Sequence, residues 1–395
     1  MSDQMYDYII VGGGLAGASA IEGIRERDEE GAILLIGLEK HQPYHRPPLS
    51  KKLWFGQKQV EDIFVQSRDF YMENNVDMAP GVEIVRLNSN NRTVVDTRGF
   101  AYKFDKLLLA TGGVPRTLDI PGGDLEGICY YRYLDDYLKL RPEASEGKSA
   151  VVIGGGFIGG ELAAALKINK VNVTMVFREK YILSRIFPES LGMAIQNDYI
   201  RRGVKIFADD TPLSFEKSGN KYITRTKNGE MIESDMVIVG VGIAPSTHLA
   251  ETGGLQIENG IVVDDRLQTS KQGIYAAGDN AFFPYQALGK MVRIEHWDNA
   301  LNQGKHAGLN MAGANQPFTY MPYFFSDLFD FGFEAVGDIN SELEIVTDWQ
   351  KENETGVIYY MKDGKVRGAM MCNVWDKVDA ARELIGKSYQ LSAIS

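Results

Sequence analysis

Two glycine-rich turns, each set between an apolar run and a helical run, constrain this chain more than any other feature. The first is Tyr8-Ile-Ile-Val-Gly12-Gly-Gly14-Leu15-Ala16-Gly17, followed by a helical stretch to Arg27. Such a short apolar run reads as a buried strand, and the Gly-x-Gly-x-x-Gly spacing turns it directly into a helix. Gly12 permits the tight turn, Gly14 lets backbone approach a pyrophosphate, and Gly17 lets helix and strand pack closely. The free N–H groups of the first turn, opened by Leu15 and Ala16, present the positive end of the helix to that group.

The second copy is Ala150-Val-Val-Ile-Gly154-Gly-Gly156-Phe157-Ile158-Gly159-Gly-Glu161, with its glycines offset by 142 residues. It reaches its next strand, Val171 to Phe177, at the distance a strand–helix–strand unit requires. One such match is weak, because glycine turns are common, and two ligand-free structural turns are the plainer reading. Two dinucleotide sites in one chain instead suggest a flavin and a nicotinamide, with electrons passing between them.

A chain of 395 residues has room for two or three domains, and 44% hydrophobic with 24% charged residues is ordinary for a soluble globular protein. A net charge of −11 argues against broad binding to nucleic acid or an anionic membrane. The apolar runs are short and interrupted by glycine, so no transmembrane segment is expected. The N-terminus lacks the basic-then-apolar form of a secretion signal, which makes a cytoplasmic home the expectation. Cys129 and Cys372 are the only cysteines and no Cys-x-x-Cys occurs, which argues against a dithiol site; no metal site is read.

Along the first repeat, Ala32 to Ile36 reads as the second strand. Glu39, 27 residues after Gly12, is either the acceptor for an adenosine ribose or a solvated loop charge. In Pro43-Tyr-His-Arg46-Pro-Pro-Leu-Ser50-Lys51-Lys-Leu-Trp54 the prolines force an extended chain, and Ser50 is expected to cap a helix beginning near Lys51. Val82 to Leu87 and Thr93 to Thr97 read as a hairpin, and Phe104 to Gly112 as another buried strand ending in small residues. Residues 121–147 read as a link, and Met236 to Pro245 echoes Leu107 to Pro115, implying two similar lobes. Gly273 to Asp279 reads as a strand leading Asp279 to a helix N-terminus, as a cap or a sugar acceptor. Beyond Tyr320 the strands around Val336 and Leu343 to Trp349, the Met361–Lys365 hairpin and a closing helix from Lys377 to Gly386 indicate an α+β domain.

These motifs, in this order, resemble the FAD-dependent pyridine nucleotide oxidoreductase family, in the branch containing oxygenase-coupled ferredoxin reductases and apoptosis-inducing factor. The resemblance covers essentially the whole chain. Arg46-Pro-Pro-Leu-Ser-Lys51-x-Leu-Trp54, Phe177-x-Glu179-Lys and Gly356-Val-Ile-Tyr-Tyr are similar to apoptosis-inducing factor; Arg293-Ile-Glu295-His296-Trp297-Asp-Asn-Ala is similar to the ferredoxin reductases. It implies an α/β fold of two Rossmann-like dinucleotide-binding domains, glutathione-reductase-like, plus an α+β C-terminal domain. The implied boundaries are 1–122 with 243–320 for FAD, 123–242 for NAD(H) and 321–395 for the C-terminal domain.

Carried over residue by residue, the resemblance implies an FAD site of Gly12, Gly14, Leu15, Ala16, Gly17, Glu39, Arg46, Lys51, Ile84, Thr111, Gly112, Arg132, Gly278, Asp279, His296 and Trp297. The nicotinamide cofactor falls to Gly154, Gly156, Phe157, Ile158, Gly159, Glu179, Arg185, Gly242, Glu295 and Glu334, with NADH favoured over NADPH by Glu179. Arg178 beside it complicates that preference, since an arginine there suits a 2′-phosphate. Lys51 is implied at the flavin N5 edge, paired to Glu161, and these two are the catalytic candidates. The chain departs from the family at Leu38, often acidic, and at Phe325, where a tryptophan commonly covers the flavin.

The implied activity is hydride transfer from NADH to FAD, then electrons to a ferredoxin-type iron–sulfur protein, a quinone or oxygen. The alternative is a slow redox sensor like apoptosis-inducing factor, holding a stable charge-transfer complex. An acidic ferredoxin would need a positive face, for which His45, Arg46, Lys51, Lys52, Lys290 and Arg293 are the candidates. Oligomeric state is not legible.

Overall fold

The computed structural model describes residues 5–388, which form two compact units. The first comprises the chain up to His45, Val60–Val114 and Pro245–Tyr323; the second comprises Arg46–Gln59, Pro115–Ala244 and the chain from Phe324 onward.

The first unit is built on parallel strands in the order Val76–Pro80, Ile33–Gly37, Met5–Val11, Ala101–Leu109 and Ile274–Ala276. Ile33–Gly37 is buried at every position, as befits a strand covered on both faces. The chain runs from Met5–Val11 outward on one side and returns on the other, so the switch in direction falls between Met5–Val11 and Ala101–Leu109. Ligands of doubly wound sheets bind at the carboxyl ends of the strands flanking such a switch. The hairpin Ile84–Asn88/Thr93–Asp96 extends the sheet, its turn held where Asn91 N–H donates to Asn88 Oδ1 at 3.1 Å.

The first glycine helix, Leu15–Arg25, packs against Trp297–Met311 through small residues. A Cβ at Gly304 or Gly308 would lie 2.2 or 2.0 Å from the carbonyl oxygens of Ala16 and Ala20. Only glycine permits so close an approach.

The second unit repeats the plan. Its parallel sheet runs Lys205–Phe207, Asn172–Val176, Ser149–Ile153, Met236–Val239 and Ile128–Tyr130, with the switch between Ser149–Ile153 and Met236–Val239. The stretch read as a link therefore contributes the edge strand Ile128–Tyr130 and a helix, Leu134–Glu143. That strand is three residues long, and Pro142 lies inside the helix, so neither left a periodic signal.

The C-terminal sheet of this unit runs Tyr323–Leu328, Phe331–Gly337, Lys365–Cys372, Thr355–Lys362 and Glu344–Lys351, beside the helix Val378–Leu384. Asp363 and Gly364 turn the expected hairpin with φ of 54° and 69°, the left-handed pair that a two-residue loop requires. Among the described residues no helix is long and apolar enough to cross a membrane.

Candidate functional site

In the first unit, Gly12 takes φ 130° and a Cβ there would lie 2.0 Å from the Ala110 carbonyl oxygen. A Cβ on Gly17 would lie 2.1 Å from the Gly12 carbonyl oxygen. A Cβ on Gly14 would meet no atom within 4 Å. Two of the three glycines thus seat the helix on the sheet, and the middle one faces open space.

Gly12 N–H donates to Ile36 O at 2.8 Å and Ala110 N–H to Val11 O at 2.8 Å, which carries the sheet ladder into the turn. Gly14 caps the helix without a side-chain bond, Leu15 and Ala16 are buried behind it, and no acid occupies the first turn. The cradle fits a dinucleotide phosphate: it offers uncapped N–H groups and lacks a Cβ where the ligand would approach.

The other expected residues of this unit surround the same strand ends. Thr111 donates its hydroxyl to Ser246 O and accepts from Asn280 Nδ2, both at 2.9 Å, while Gly112 O accepts from Ser246 N–H at 2.9 Å. Gly278, φ 88°, donates its N–H to Gln303 Oε1 at 2.9 Å, and a Cβ on it would lie 3.2 Å from the Ala16 Cβ. Among the described residues Asn280 Oδ1, Asn299 Oδ1 and Gln303 Nε2 are buried without a hydrogen-bond partner in the chain. Buried polar atoms are normally satisfied, so a polar ligand or ordered water suits them.

Glu39 is half-buried and accepts the Tyr44 hydroxyl at 2.5 Å, with Leu38 exposed beside it; Ile84 is buried at the start of its strand. Asp279 departs from expectation. No helix follows it; the chain turns into the strand Ala281–Tyr285, whose aromatic, β-favouring residues override the Gly-Asp signal.

His296 instead occupies a helix N-cap, at Trp297–Met311, and burial pushes its pKa down to about 4 against the opposing charge of Asp279. Trp297 Nε1 donates to His45 Nδ1 at 2.9 Å. Glu295 pairs with Arg293 at 2.6 Å.

The second unit has the same cradle. Gly154 takes φ 114° with its Cβ position 2.4 Å from Gly240 O; that of Gly159 is 2.0 Å from Gly154 O; that of Gly156 is open. Gly154 N–H donates to Val176 O at 2.9 Å and Gly240 N–H to Ile153 O at 2.8 Å. Gly156 caps Phe157–Ile168 without a side-chain bond. Arg46, Arg132, Ile158 and Gly242 line one cleft with Leu49 and Tyr131.

Phe157 packs edge-on against Phe324. Glu179 lies 3.0 Å from Arg178 and 4.0 Å from Arg185, both mostly exposed. Arg185 also borders a cavity of about 480 Å³ with Asn340 and Glu342. Among the described residues Glu334 Oε2 is buried without a hydrogen-bond partner, and burial, then Asp376, raises the pKa of its carboxyl.

Residues 46–59 dock on this unit through the fully buried Trp54. Its indole N–H donates to Leu49 O at 2.7 Å, Asn169 donates to Trp54 O at 3.0 Å, and Arg46 donates to Arg132 O at 2.9 Å. The docked segment puts Lys51 Nζ 3.0 Å from Glu161 Oε1, with both residues 5% exposed. Phe325 lies under the ammonium, its centroid 4.4 Å from Nζ, and Asp327 is 3.7 Å away.

Ser50 does not cap a helix. It ends the short 3₁₀ turn Pro47–Ser50 and donates its hydroxyl to Glu161 Oε2 at 2.5 Å. Ser326 donates to Oε1 at 2.6 Å. Neither serine was anticipated as part of this cluster; the signal for Ser326 was a polar residue sharing the inward face of its strand with Leu328.

Of the six cations expected to form a docking face, Lys51 is buried and the Arg293 side chain is 10% exposed and paired, so neither is a free surface charge. Cys129 and Cys372 are unpaired thiols whose pKa values burial drives up, which makes both inert.

Two cradles of one design, each at the switch point of its own doubly wound sheet, define an oxidoreductase built around two dinucleotides. Residues 6–304 match the pyridine nucleotide-disulphide oxidoreductase family, and residues 307–355 match the C-terminal region of mitochondrion-associated apoptosis-inducing factor. The chain belongs to the pyridine nucleotide-disulphide oxidoreductase family, which implies FAD and NAD(P)H.

It is 34% identical to mitochondrial apoptosis-inducing factor 1 of Dictyostelium discoideum, over 97% of this chain and 79% of that one. It is 32% identical to the rubredoxin-NAD(+) reductase of Pseudomonas putida, over 90% and 93%. The putidaredoxin reductase of a solved covalent complex with putidaredoxin superposes with a TM-score of 0.90 at 30% identity, covering 98% of this chain and 93% of that one. As a member of this family the chain is an electron-transferring oxidoreductase.

Proposed function

We propose that this chain is an NADH:acceptor oxidoreductase that hands electrons, by way of FAD, to an iron–sulfur protein of the ferredoxin or rubredoxin kind. The observation that carries the reading is the duplicated cradle, closed by its first and last glycines and open at the middle one in both copies. Bound FAD supplies chemistry the side chains lack, accepting a hydride from a reduced nicotinamide and releasing electrons singly or in pairs.

The residues have distinct duties. In the apportionment we favour, residues 1–122 and 243–320 hold FAD, 123–242 hold the nicotinamide nucleotide, and 321–395 contribute Phe325 and Glu334. The first cradle, with Thr111, Gly112 and Gly278, holds the permanent cofactor. The second admits the exchangeable nucleotide, and Glu179 accepts its ribose hydroxyls, which favours NADH. Lys51 is held 3.0 Å from Glu161 in a water-poor setting, and a fixed ammonium favours a reduced, anionic ring system.

The named electron-transfer partners of the relatives support an iron–sulfur acceptor; the burial of Lys51 and Arg293 leaves a smaller positive face than such docking would use. A cytoplasmic location is proposed with it, supported by two unpaired thiols, Cys372 buried and Cys129 half-buried.

A second reading is a slow redox sensor, favoured by the match at residues 307–355 and by the relative in Dictyostelium discoideum. Anaerobic stopped-flow reduction by NADH and by NADPH, followed by turnover with a ferredoxin, a rubredoxin, a quinone and oxygen, separates the two. Rapid reduction by NADH and turnover with an iron–sulfur protein are expected. Persistent long-wavelength absorbance with under about one turnover per minute would favour sensing, far below the usual range for enzymes. A colourless protein would end both readings.

A further inference from the structure

Glu161 carries more donors than one ion pair needs. Its Oε1 accepts from Lys51 Nζ at 3.0 Å and from Ser326 Oγ at 2.6 Å, and its Oε2 accepts from Ser50 Oγ at 2.5 Å. The three donors come from two separate stretches: Lys51 and Ser50 from the docked segment, Ser326 from the strand Tyr323–Leu328, with Glu161 itself in the first turns of Phe157–Ile168. Ser326 is 0% and Ser50 2% exposed, so neither hydroxyl has water as an alternative partner. Each hydroxyl has a single proton, and the other contact of Ser50 Oγ, to Pro47 O at 3.5 Å, is at the limit of a hydrogen bond.

A carboxylate opposite a lone ammonium can rotate and shift, and the ammonium follows it. Hydroxyl donors on both oxygens remove that freedom without adding charge. They also draw electron density from the carboxylate, so that its grip on the ammonium is limited. Phe325 under Nζ and Asp327 at 3.7 Å bound the other sides.

We propose that Ser50 and Ser326 are positioning residues, which clamp the Glu161 carboxylate so that Lys51 presents its ammonium in one place with most of its charge available. Resting on the reading of Lys51 as a group that stabilises reduced flavin, the clamp sets the potential of that flavin. Without a serine, the carboxylate moves toward Lys51 and binds the ammonium more fully, and reduced flavin loses support.

The test uses the full-length holoprotein with Ser50→Ala, Ser326→Ala, Ser326→Thr and Ser326→Val. Reduction of bound flavin at saturating NADH is expected to slow about tenfold in each alanine variant, the weight of one hydrogen bond to a charged group, with the NADH dissociation constant unchanged. The flavin midpoint potential is expected to fall by about 30 mV, the equivalent of a tenfold change for a two-electron couple. Ser326→Thr should restore both, and Ser326→Val should not. In a Lys51→Met background the serine substitutions should change neither quantity, which a purely structural role would not predict.

Independently of flavin, competitive acetylation read by mass spectrometry should label Lys51 about tenfold more slowly in the alanine variants, because a carboxylate relieved of one hydroxyl donor holds the ammonium more fully. If Val rescues as well as Thr, or if the potential shift survives in Lys51→Met, the clamp is wrong. Loss of acetylation contrast overturns it even in protein that binds no flavin, whereas a colourless protein with intact contrast overturns the proposed function alone.

Discussion

The two glycine cradles are nearly superimposable as chemistry and unlike in their surroundings. In both, the first glycine has positive φ and abuts a carbonyl of the neighbouring strand, the third abuts the carbonyl of the first, and the second faces open space. They part company one strand later. In the first unit Glu39 is engaged by a phenol, Tyr44; in the second Glu179 is flanked by two exposed guanidiniums.

Their helices differ too. Leu15–Arg25 is clamped along its length by Trp297–Met311, whereas Phe157–Ile168 carries the buried Glu161 and meets the C-terminal sheet through Gly160, whose Cβ position lies 3.2 Å from Leu328. On the proposed apportionment one backbone template serves a cofactor meant to stay and another meant to leave, and the difference between the cradles lies in side chains rather than in the turn.

The largest expected effect tests that division. Alanine at Gly17 or Gly159 would place a Cβ 2.1 or 2.0 Å from a backbone oxygen, which the helix cannot accommodate without moving. Each should cost about 4–5 kcal/mol, at the upper end for single substitutions. Gly17→Ala should lose flavin, by absorbance of the purified protein, while soluble Gly159→Ala should keep flavin and lose reduction by NADH. If Gly159→Ala loses flavin first, the assignment of the two cradles is reversed.

Next comes the way each unit handles buried charge. The second unit pairs it, so Lys51→Met or Glu161→Gln strands the partner and should cost roughly 3–5 kcal/mol in chemical denaturation. The first unit keeps His296 neutral instead. Its pKa, about 4 against an ordinary 6.5, means that between those values the unfolded chain takes up a proton that the folded chain refuses.

Stability from that source is full above pH 6.5 and is lost as pH falls toward 4. We expect a loss of about 2 kcal/mol, discounted because the residue keeps partial solvent contact. His296→Asn should flatten the stability profile in that window; a profile unchanged by the substitution would show that other groups set it.

The sequence disclosed the cradles because the third glycine of each answers a contact within the motif itself, Gly17 against Gly12 O and Gly159 against Gly154 O. It disclosed the central strands because burial on both faces leaves unbroken apolar runs, as in Ile33–Gly37. The pairing of Lys51 with Glu161 came from resemblance, since nothing in spacing links residues so far apart.

Ser50 was misread because a serine after prolines obeys the local capping rule, while its hydroxyl is claimed by a distant carboxylate. The helices Glu189–Arg201 and Trp297–Met311 escaped notice for a related reason. Gly192, Gly304 and Gly308 weaken helix propensity locally, yet each sits where a Cβ would strike a neighbour, Tyr181 in the first case and helix backbone in the others. Local rules fail where a tertiary contact has first claim on the residue.

The smallest effect we expect bears most directly on the contrast between the two acidic residues. Glu179 holds Arg178 at 3.0 Å and stands 4.0 Å from Arg185, so its charge occupies guanidiniums that would otherwise welcome a phosphate, beside the ribose-accepting role we propose for it. Exposed pairs of this kind contribute little to stability, so Glu179→Gln should leave the denaturation midpoint nearly unchanged. What should change is selectivity: NADH binding should weaken and NADPH binding strengthen, shifting the ratio of their dissociation constants by about tenfold, or 1.4 kcal/mol. Arg178→Ala in the same background should take back most of the NADPH gain if the freed guanidinium is the cause. Should Glu39→Gln shift that ratio and Glu179→Gln leave it fixed, the exchangeable nucleotide belongs to the first cradle, and the difference in side chains described above has been assigned to the wrong duties.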